Sequence, residues 1–185
     1  MSNDTHVAQW YHMIFYPDWL RRWLEKPRHI LGDLVQPEMV VADIGCGLGF
    51  YTRQLAQMVG EKGHVYAVDL QESMLNFARR KIQKAALTER VEFIQCTQNN
   101  INLTAALDFA LTMHVVHEVP DRSDFLKQIK NLLKPHGQYL MVEPKGHCSA
   151  DMFQTIQNEA QDAGLKKINQ PAVRFGHTSL FKVSI

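Results

Sequence analysis

One stretch constrains this chain more than any other: Val40-Val41-Ala42-Asp43-Ile44-Gly45-Cys46-Gly47-Leu48-Gly49-Phe50-Tyr51. The apolar run from Met39 to Ile44 suits a central parallel strand buried on both faces, and it feeds directly into a glycine at every second position. Glycine has no Cβ and takes positive φ without strain, so the backbone can turn tightly out of the strand and into a helix. A flat ligand can then lie against bare backbone. A dinucleotide loop needs G-x-G-x-x-G, and counting from Gly45 the third glycine falls at position 50, which is Phe50. Nicotinamide cofactors, and the oxidoreductase reading that goes with them, are disfavoured.

One βα unit further on, His64-Val65-Tyr66-Ala67-Val68 forms another short apolar strand, ending at Asp69 before a helix that begins near Glu72. A carboxylate at that strand end can accept both ribose hydroxyls of an adenosine, and its separation from the glycine loop fits the roughly 20-residue interval of one βαβ unit. Asp69 can equally serve as a helix N-cap, and the two roles are compatible.

The run from Asp43 to Gly49 resembles the first motif of the class I S-adenosylmethionine-dependent methyltransferases, an acid followed by x-G-x-G-x-G, at every defined position. The resemblance implies that Gly45 and Gly47 pass beneath the methionine part of S-adenosylmethionine, while Asp43 orients the loop or the cofactor's ammonium group. It further implies cofactor-lining positions at Cys46 and Gly49 in the loop, at Leu70 and Met74 beside Asp69, and at Met113 and His114 after the fourth strand. In that family the third strand often ends in an acid that holds the adenine amino group. Here the matching place is Thr97, so the contact passes to Cys96, Thr97 and Gln98.

The rest of the chain repeats the same period. Tyr51 to Val59 reads as a helix stopped by Gly60, and Met74, Phe77, Ala78, Ile82 and Ala85 mark the next. Val91 to Cys96 and Asp108 to Met113 are the third and fourth strands, and a βα rhythm is expected throughout. Pro120 and Asp121 open a helix, Pro135-His136-Gly137 turns the chain, and Gln138 to Glu143 is the fifth strand. The segment Asn131 to Gln138 is similar to the L-K-P-G-G turn of the same family, with His136 in a glycine position. A helix from Ala150 stops at Gly164, and strand-like runs Leu165 to Phe175 and Leu180 to Ile185 close the chain as a hairpin. The expected fold is a three-layer α/β/α Rossmann-like methyltransferase, with a mostly parallel seven-stranded sheet and a C-terminal antiparallel hairpin.

Two units are expected. Residues 1–36 are rich in large aromatics (Trp10, Tyr11, Phe15, Tyr16, Trp19, Trp23), broken by Pro17 and Pro27, and read as an added helical cap. That cap can close over an acceptor, pack on the sheet or form a homodimer interface. Residues 37–185 are the catalytic domain, and 45% hydrophobic content suffices for its core.

Methyl transfer from a sulfonium is an in-line displacement at an activated carbon, so the protein mainly aligns the reactants, excludes water and, where needed, removes a proton. In an open α/β sheet the ligand lies where strand order reverses; the resemblance to the methyltransferase family implies that this point falls between the first and fourth strands, where the segment Met113-His114-Val115-Val116-His117-Glu118 lies. His117 is the candidate general base, by its pKa range; the competing role is a loop histidine that orders the helix entry. A metal site from His114, His117, Glu118 and His147 is disfavoured, because i, i+3 spacing belongs on a helix and these residues fall on a strand end and loop. Cys148 reads as a small buried residue.

A net charge of +1 gives no general attraction to nucleic acid, and the Arg79-Arg80-Lys81 run with Lys84 reads as a solvated helix face. The region after the fourth strand also lacks the N/D-P-P-Y tetrapeptide with which amino-methylating enzymes grip a flipped base. A small-molecule acceptor is expected, with neither nucleic acid nor membrane as partner. Cys46, Cys96 and Cys148 show no disulfide or zinc spacing, and the chain shows neither a targeting signal nor a run of roughly 18 apolar residues. The expected compartment is the cytoplasm. A non-catalytic S-adenosylmethionine-binding or regulatory protein would carry the same loop and acid; dependence of turnover on His117 separates the two.

Overall fold

The strand that feeds the glycine loop is β1 (Val40–Ile44), and its side chains divide between two hydrophobic cores. Val41 points to one face of the sheet, Ala42 and Ile44 to the other. Both faces are covered, so the strand carries no alternation of polar with apolar residues. The computed structural model describes residues 26–174 and 176–183. The aromatic residues from Trp10 to Trp23, and the helix expected after Pro17, lie outside the described residues.

A short helix α1 (Pro27–Leu31) precedes β1, and then strands and helices alternate: α2 (Phe50–Met58), β2 (His64–Asp69), α3 (Glu72–Lys84), β3 (Val91–Gln95) and β4 (Leu107–Met113). The chain continues with α4 (Arg122–Leu132), β5 (Leu133–Pro144), α5 (Ala150–Asp162), β6 (Leu165–Asn169) and β7 (Gly176–Val183). The seven strands form one sheet in the order β3-β2-β1-β4-β5-β7-β6. The first five are parallel, and β7 runs antiparallel to both β5 and β6. This is the expected three-layer Rossmann-like architecture.

The core on one face gathers Leu55, Val65, Ala67, Leu75, Ile82, Phe109, Leu111 and Leu140. Ile30, Leu31 and Val35 pack into that same cluster, so this part of the expected cap is continuous with the sheet's packing. The opposite core holds Val68, Ala110, Leu126, Ile129, Tyr139, Met141, Ile156 and Phe181. Burying a side chain such as Phe109 or Leu111 contributes about 1.5–3 kcal/mol. Tyr139 stacks on Phe181 of β7, and its hydroxyl satisfies Thr112 Oγ1 at 2.7 Å, so this buried polar pair is not a cost.

Three details depart from the sequence reading. The βα rhythm breaks between β3 and β4, where residues 96–106 form no helix. This polar segment is pinned to α4 instead: Gln128 Oε1 accepts the Ile101 N–H at 2.9 Å and its Nε2 donates to Asn99 O at 2.8 Å. Next, β5 begins at Leu133 rather than Gln138. Its pairing with β4 jumps from Leu107↔Leu133 to Phe109↔Gln138, so the predicted turn at 135–137 is a wide bulge inside the strand. Finally, β6 ends at Asn169 and β7 begins at Gly176, with residues 170–174 outside the ladder.

Candidate active site

The reversal of strand order falls between β1 and β4, and the loops at the carboxyl ends of β1, β2 and β4 converge there. The glycine loop is held from below: Gly45 N–H and Cys46 N–H both donate to Val68 O of β2, at 2.8 and 2.9 Å. Gly45, Gly47 and Gly49 all have positive φ, of 78°, 51° and 74°. At two of them a side chain would also collide. A Cβ on Gly45 would sit 2.3 Å from Val115 Cγ2, and one on Gly49 would sit 2.8 Å from Ala78 Cβ. Gly45 thus lets the β4 loop close against the β1 loop, and Gly49 lets α2 approach α3.

Asp69 closes the loop from the side. Its Oδ2 accepts the Gly47 N–H at 2.8 Å and its Oδ1 the Gln71 N–H at 2.9 Å. Burial raises its carboxyl above the ordinary carboxylate range, and those two N–H groups only partly offset that. Each oxygen retains a second lone pair, so further donors such as a vicinal diol would find an acceptor there. Asp43, also buried, accepts the Thr52 Oγ1–H at 2.6 Å and so fastens β1 to the first turn of α2. Cys46 is buried between the two carboxylates; burial, then Asp43 and Asp69, hold its thiol well above the usual value. Met74 is buried on α3, whereas Leu70 is half-buried and its carbonyl accepts from Gln95 Nε2 at 3.2 Å.

The end of β3 joins the same rim through the Gln95 bond to Leu70 and through Cys96 N–H, which donates to Asp69 O at 3.0 Å. Burial, reinforced by Asp69, pushes the Cys96 thiol up to about 11. Thr97 and Gln98 are exposed, and Thr97 turns back on its own loop, its N–H donating to Asn100 O at 2.9 Å.

After β4 the chain passes Met113, half-buried, and His114, exposed with φ 62° and its N–H on Val142 O at 2.7 Å. It then forms a 3-10 turn, Val116–Glu118. Glu143, at the end of β5 and fully buried, organises this turn. Its Oε1 accepts the Val116 N–H at 2.9 Å and the Val115 N–H at 3.3 Å, and its Oε2 meets His117 Nδ1 in a short hydrogen bond. His117 Nε2 lies 3.8 Å from Glu118 Oε1. Burial lowers the imidazole pKa, but Glu143, by hydrogen bond and charge, outweighs it and leaves His117 above its ordinary value.

Sequence reasoning passed over Glu143 and Val115. The signal for Glu143 was nonetheless present: Asp43, Asp69 and Glu143 are each an acid at the carboxyl end of an apolar strand, and all three are buried. His147 sits exposed in the turn after β5, and among the described residues no three His, Cys, Asp or Glu side chains are grouped to hold an ion. Cys148 is buried, its Sγ 3.7 Å from Ser149 O.

A family profile described as a methyltransferase domain matches residues 36–175. The chain belongs to the methyltransferase family. A solved S-adenosylmethionine-dependent methyltransferase from Aquifex aeolicus is 28% identical and superposes with a TM-score of 0.82, covering 93% of this chain and 96% of its own. The ubiquinone/menaquinone biosynthesis C-methyltransferase UbiE of Vibrio vulnificus is 30% identical over 109 residues, which is 58% of this chain and 42% of that protein. The demethylmenaquinone methyltransferase of Lactococcus lactis is 30% identical over 122 residues, 65% of this chain and 47% of that protein. This methyltransferase chain therefore spans about half the length of the curated relatives it matches.

Proposed function

We propose that this protein transfers a methyl group from S-adenosylmethionine to a small organic acceptor. The observation that carries the proposal is the pairing of a bare, positive-φ glycine loop with the buried Asp69 carboxylate, side by side at the point where strand order reverses. The residues fit the cofactor. Asp69 has acceptor capacity for the ribose hydroxyls, and Gly45 to Gly49 present backbone to the methionine portion, with Cys46, Leu70 and Met74 beside them. Backbone groups of Cys96, Thr97 and Gln98 take the adenine edge in place of the missing acid, and Met113 and His114 close the site from β4. When bound, S-adenosylmethionine supplies a sulfonium-activated methyl group.

His117 is the proposed acid–base group at the acceptor. With Glu143 on Nδ1, its Nε2 is the atom that exchanges a proton with the acceptor, in the manner of an oriented histidine base. The names of the curated relatives, which are C-methyltransferases and a demethylmenaquinone methyltransferase, support a small acceptor. Among the described residues no helix is long and apolar enough to cross a membrane. A cytoplasmic location, action without nucleic acid, and a homodimer through the aromatic N-terminal region complete the proposal, the last testable by light scattering of the full chain.

Calorimetric titration with S-adenosylmethionine and S-adenosylhomocysteine, with NADH as control, tests the cofactor. Micromolar binding of the adenosyl compounds, weakened at least tenfold by Asp69→Ala, is the expected result. Absence of binding overturns the reading. Turnover on an acceptor panel that His117→Ala leaves untouched would remove His117 from the mechanism.

A further inference from the structure

The charged face that reads from sequence as a solvated helix surface borders a cavity. It lies between α2 and α3, has a volume of about 420 Å³, and is lined by Arg53, Phe77, Arg80, Lys81, Lys84 and Ala85. Four of these six residues are cationic and none is acidic. Sequence alone brings only the α3 residues together; Arg53 arrives from α2, across the seam where Gly49 meets Ala78. Four residues separate Arg53 from Gly49, about 6 Å along the helix axis, so the cavity sits one turn down the seam from the glycine loop rather than above it.

The state of these cations distinguishes the cavity from an ordinary basic helix face. Arg79, one residue away, is already engaged: its Nη1 lies 2.8 Å from Glu72 Oε1, and its guanidinium stands over Phe93. Arg53 is different, because its Nε is buried and has no hydrogen-bond partner among the described residues. A buried guanidinium N–H without an acceptor costs free energy that an incoming anion would recover. Neither Arg80 nor Lys84 has an ion pair among the described residues; Arg80 lies against the Phe77 ring, at 5.9 Å from the centroid. Phe77 is 42% exposed, one of only two large apolar side chains so exposed among the described residues.

We propose that this cavity is a second binding site, separate from the cofactor loop, for a small phosphate-bearing molecule. Planar guanidinium forks from Arg53 and Arg80 grip phosphate oxygens, Lys84 adds point charge, and Ala85 with the edge of Phe77 borders the apolar part of the occupant. The volume is that of a small-molecule pocket. A soluble phosphorylated compound and the headgroup of an anionic lipid share this chemistry.

The test uses inorganic pyrophosphate and phosphatidylglycerol vesicles as separate probes on the full chain. The pyrophosphate titration is followed by the Arg53 side-chain Nε–H and the backbone amides of residues 77–85 in nitrogen–proton spectra. The variants are Arg80→Glu with Lys84→Glu, both exposed, and Arg53→Gln, each checked for an unchanged thermal transition. Saturable shifts at those signals, weakened about tenfold or more by the paired charge reversal, establish a site for soluble phosphate compounds. Co-sedimentation with phosphatidylglycerol but not phosphatidylcholine vesicles, lost in the same variant and without a pyrophosphate response, assigns the site to a headgroup. Shifts that never saturate, or binding of either probe that the charge reversal leaves intact, overturn the proposal.

Discussion

At the scale of single residues, the site depends on one absence and one pairing. Gly45 has no Cβ, and Val115 occupies the space where one would stand. Gly45→Ala combines a left-handed backbone with a collision, together about 3 kcal/mol of lost stability by urea unfolding. Adding Val115→Ala removes the collision but not the backbone strain, so the double variant should regain about half the loss; additive losses would show that the contact does not limit the loop. The pairing is His117 with Glu143. Because the folded imidazole lies above its ordinary value of about 6.5, its contribution to stability is complete below that value. It is lost as pH rises through the raised one. In Glu143→Gln, burial dominates, so proton NMR should find the His117 midpoint falling below the ordinary value, and the rising limb of turnover against pH should move the same way. The Asp43 and Asp69 positions were legible because acid after apolar strand is a local pattern. Glu143 shows the same pattern, but its partners Val116 and His117 are 27 and 26 residues away, and no local spacing reveals a carboxylate that caps a distant turn.

At the scale of elements, helix and strand periods recovered nearly every segment, and the misses have a common cause. Residues 96–106 carry no helix because Thr97-Gln98-Asn99-Asn100 offers no apolar face to bury, and Gln128 of α4 holds the segment instead. Leu133 joins β5 because Leu107 is opposite it across the bulge, which is a fact about β4. Likewise α4 and α5 are joined by a pair that neither helix advertises: Arg122 Nε and Nη2 meet Glu159 Oε2 and Oε1 at 2.7 and 2.9 Å. Both side chains keep about a quarter of their exposure, so the fork is worth about 1 kcal/mol, and less in salt. Arg122→Ala should lower unfolding stability by about that amount at low ionic strength, and molar sodium chloride should shrink the difference. A loss that ignores salt would indicate that the aliphatic stem, rather than the charge, joins the helices.

At the scale of the whole molecule, the loops that would hold the cofactor belong to strands on both sides of the sheet's centre, so occupancy of the site should stabilise the entire fold. S-adenosylhomocysteine at a hundredfold excess over its Kd should add about 2.7 kcal/mol. Thermal unfolding of the wild type should report that rise, and Asp69→Ala at the same concentration should show much less of it. The placement of β7 between β5 and β6 was not legible: hairpin chemistry says that two strands pair, not which of them also pairs with the rest of the sheet. That placement affects the order in which the protein can be completed. A ribosome makes β6 before β7, yet β6 touches the sheet only through β7. Until residues 176–183 emerge, β5 presents a bare row of peptide groups to solvent, an invitation to pair with another nascent chain, and β6 waits beside it without a neighbour.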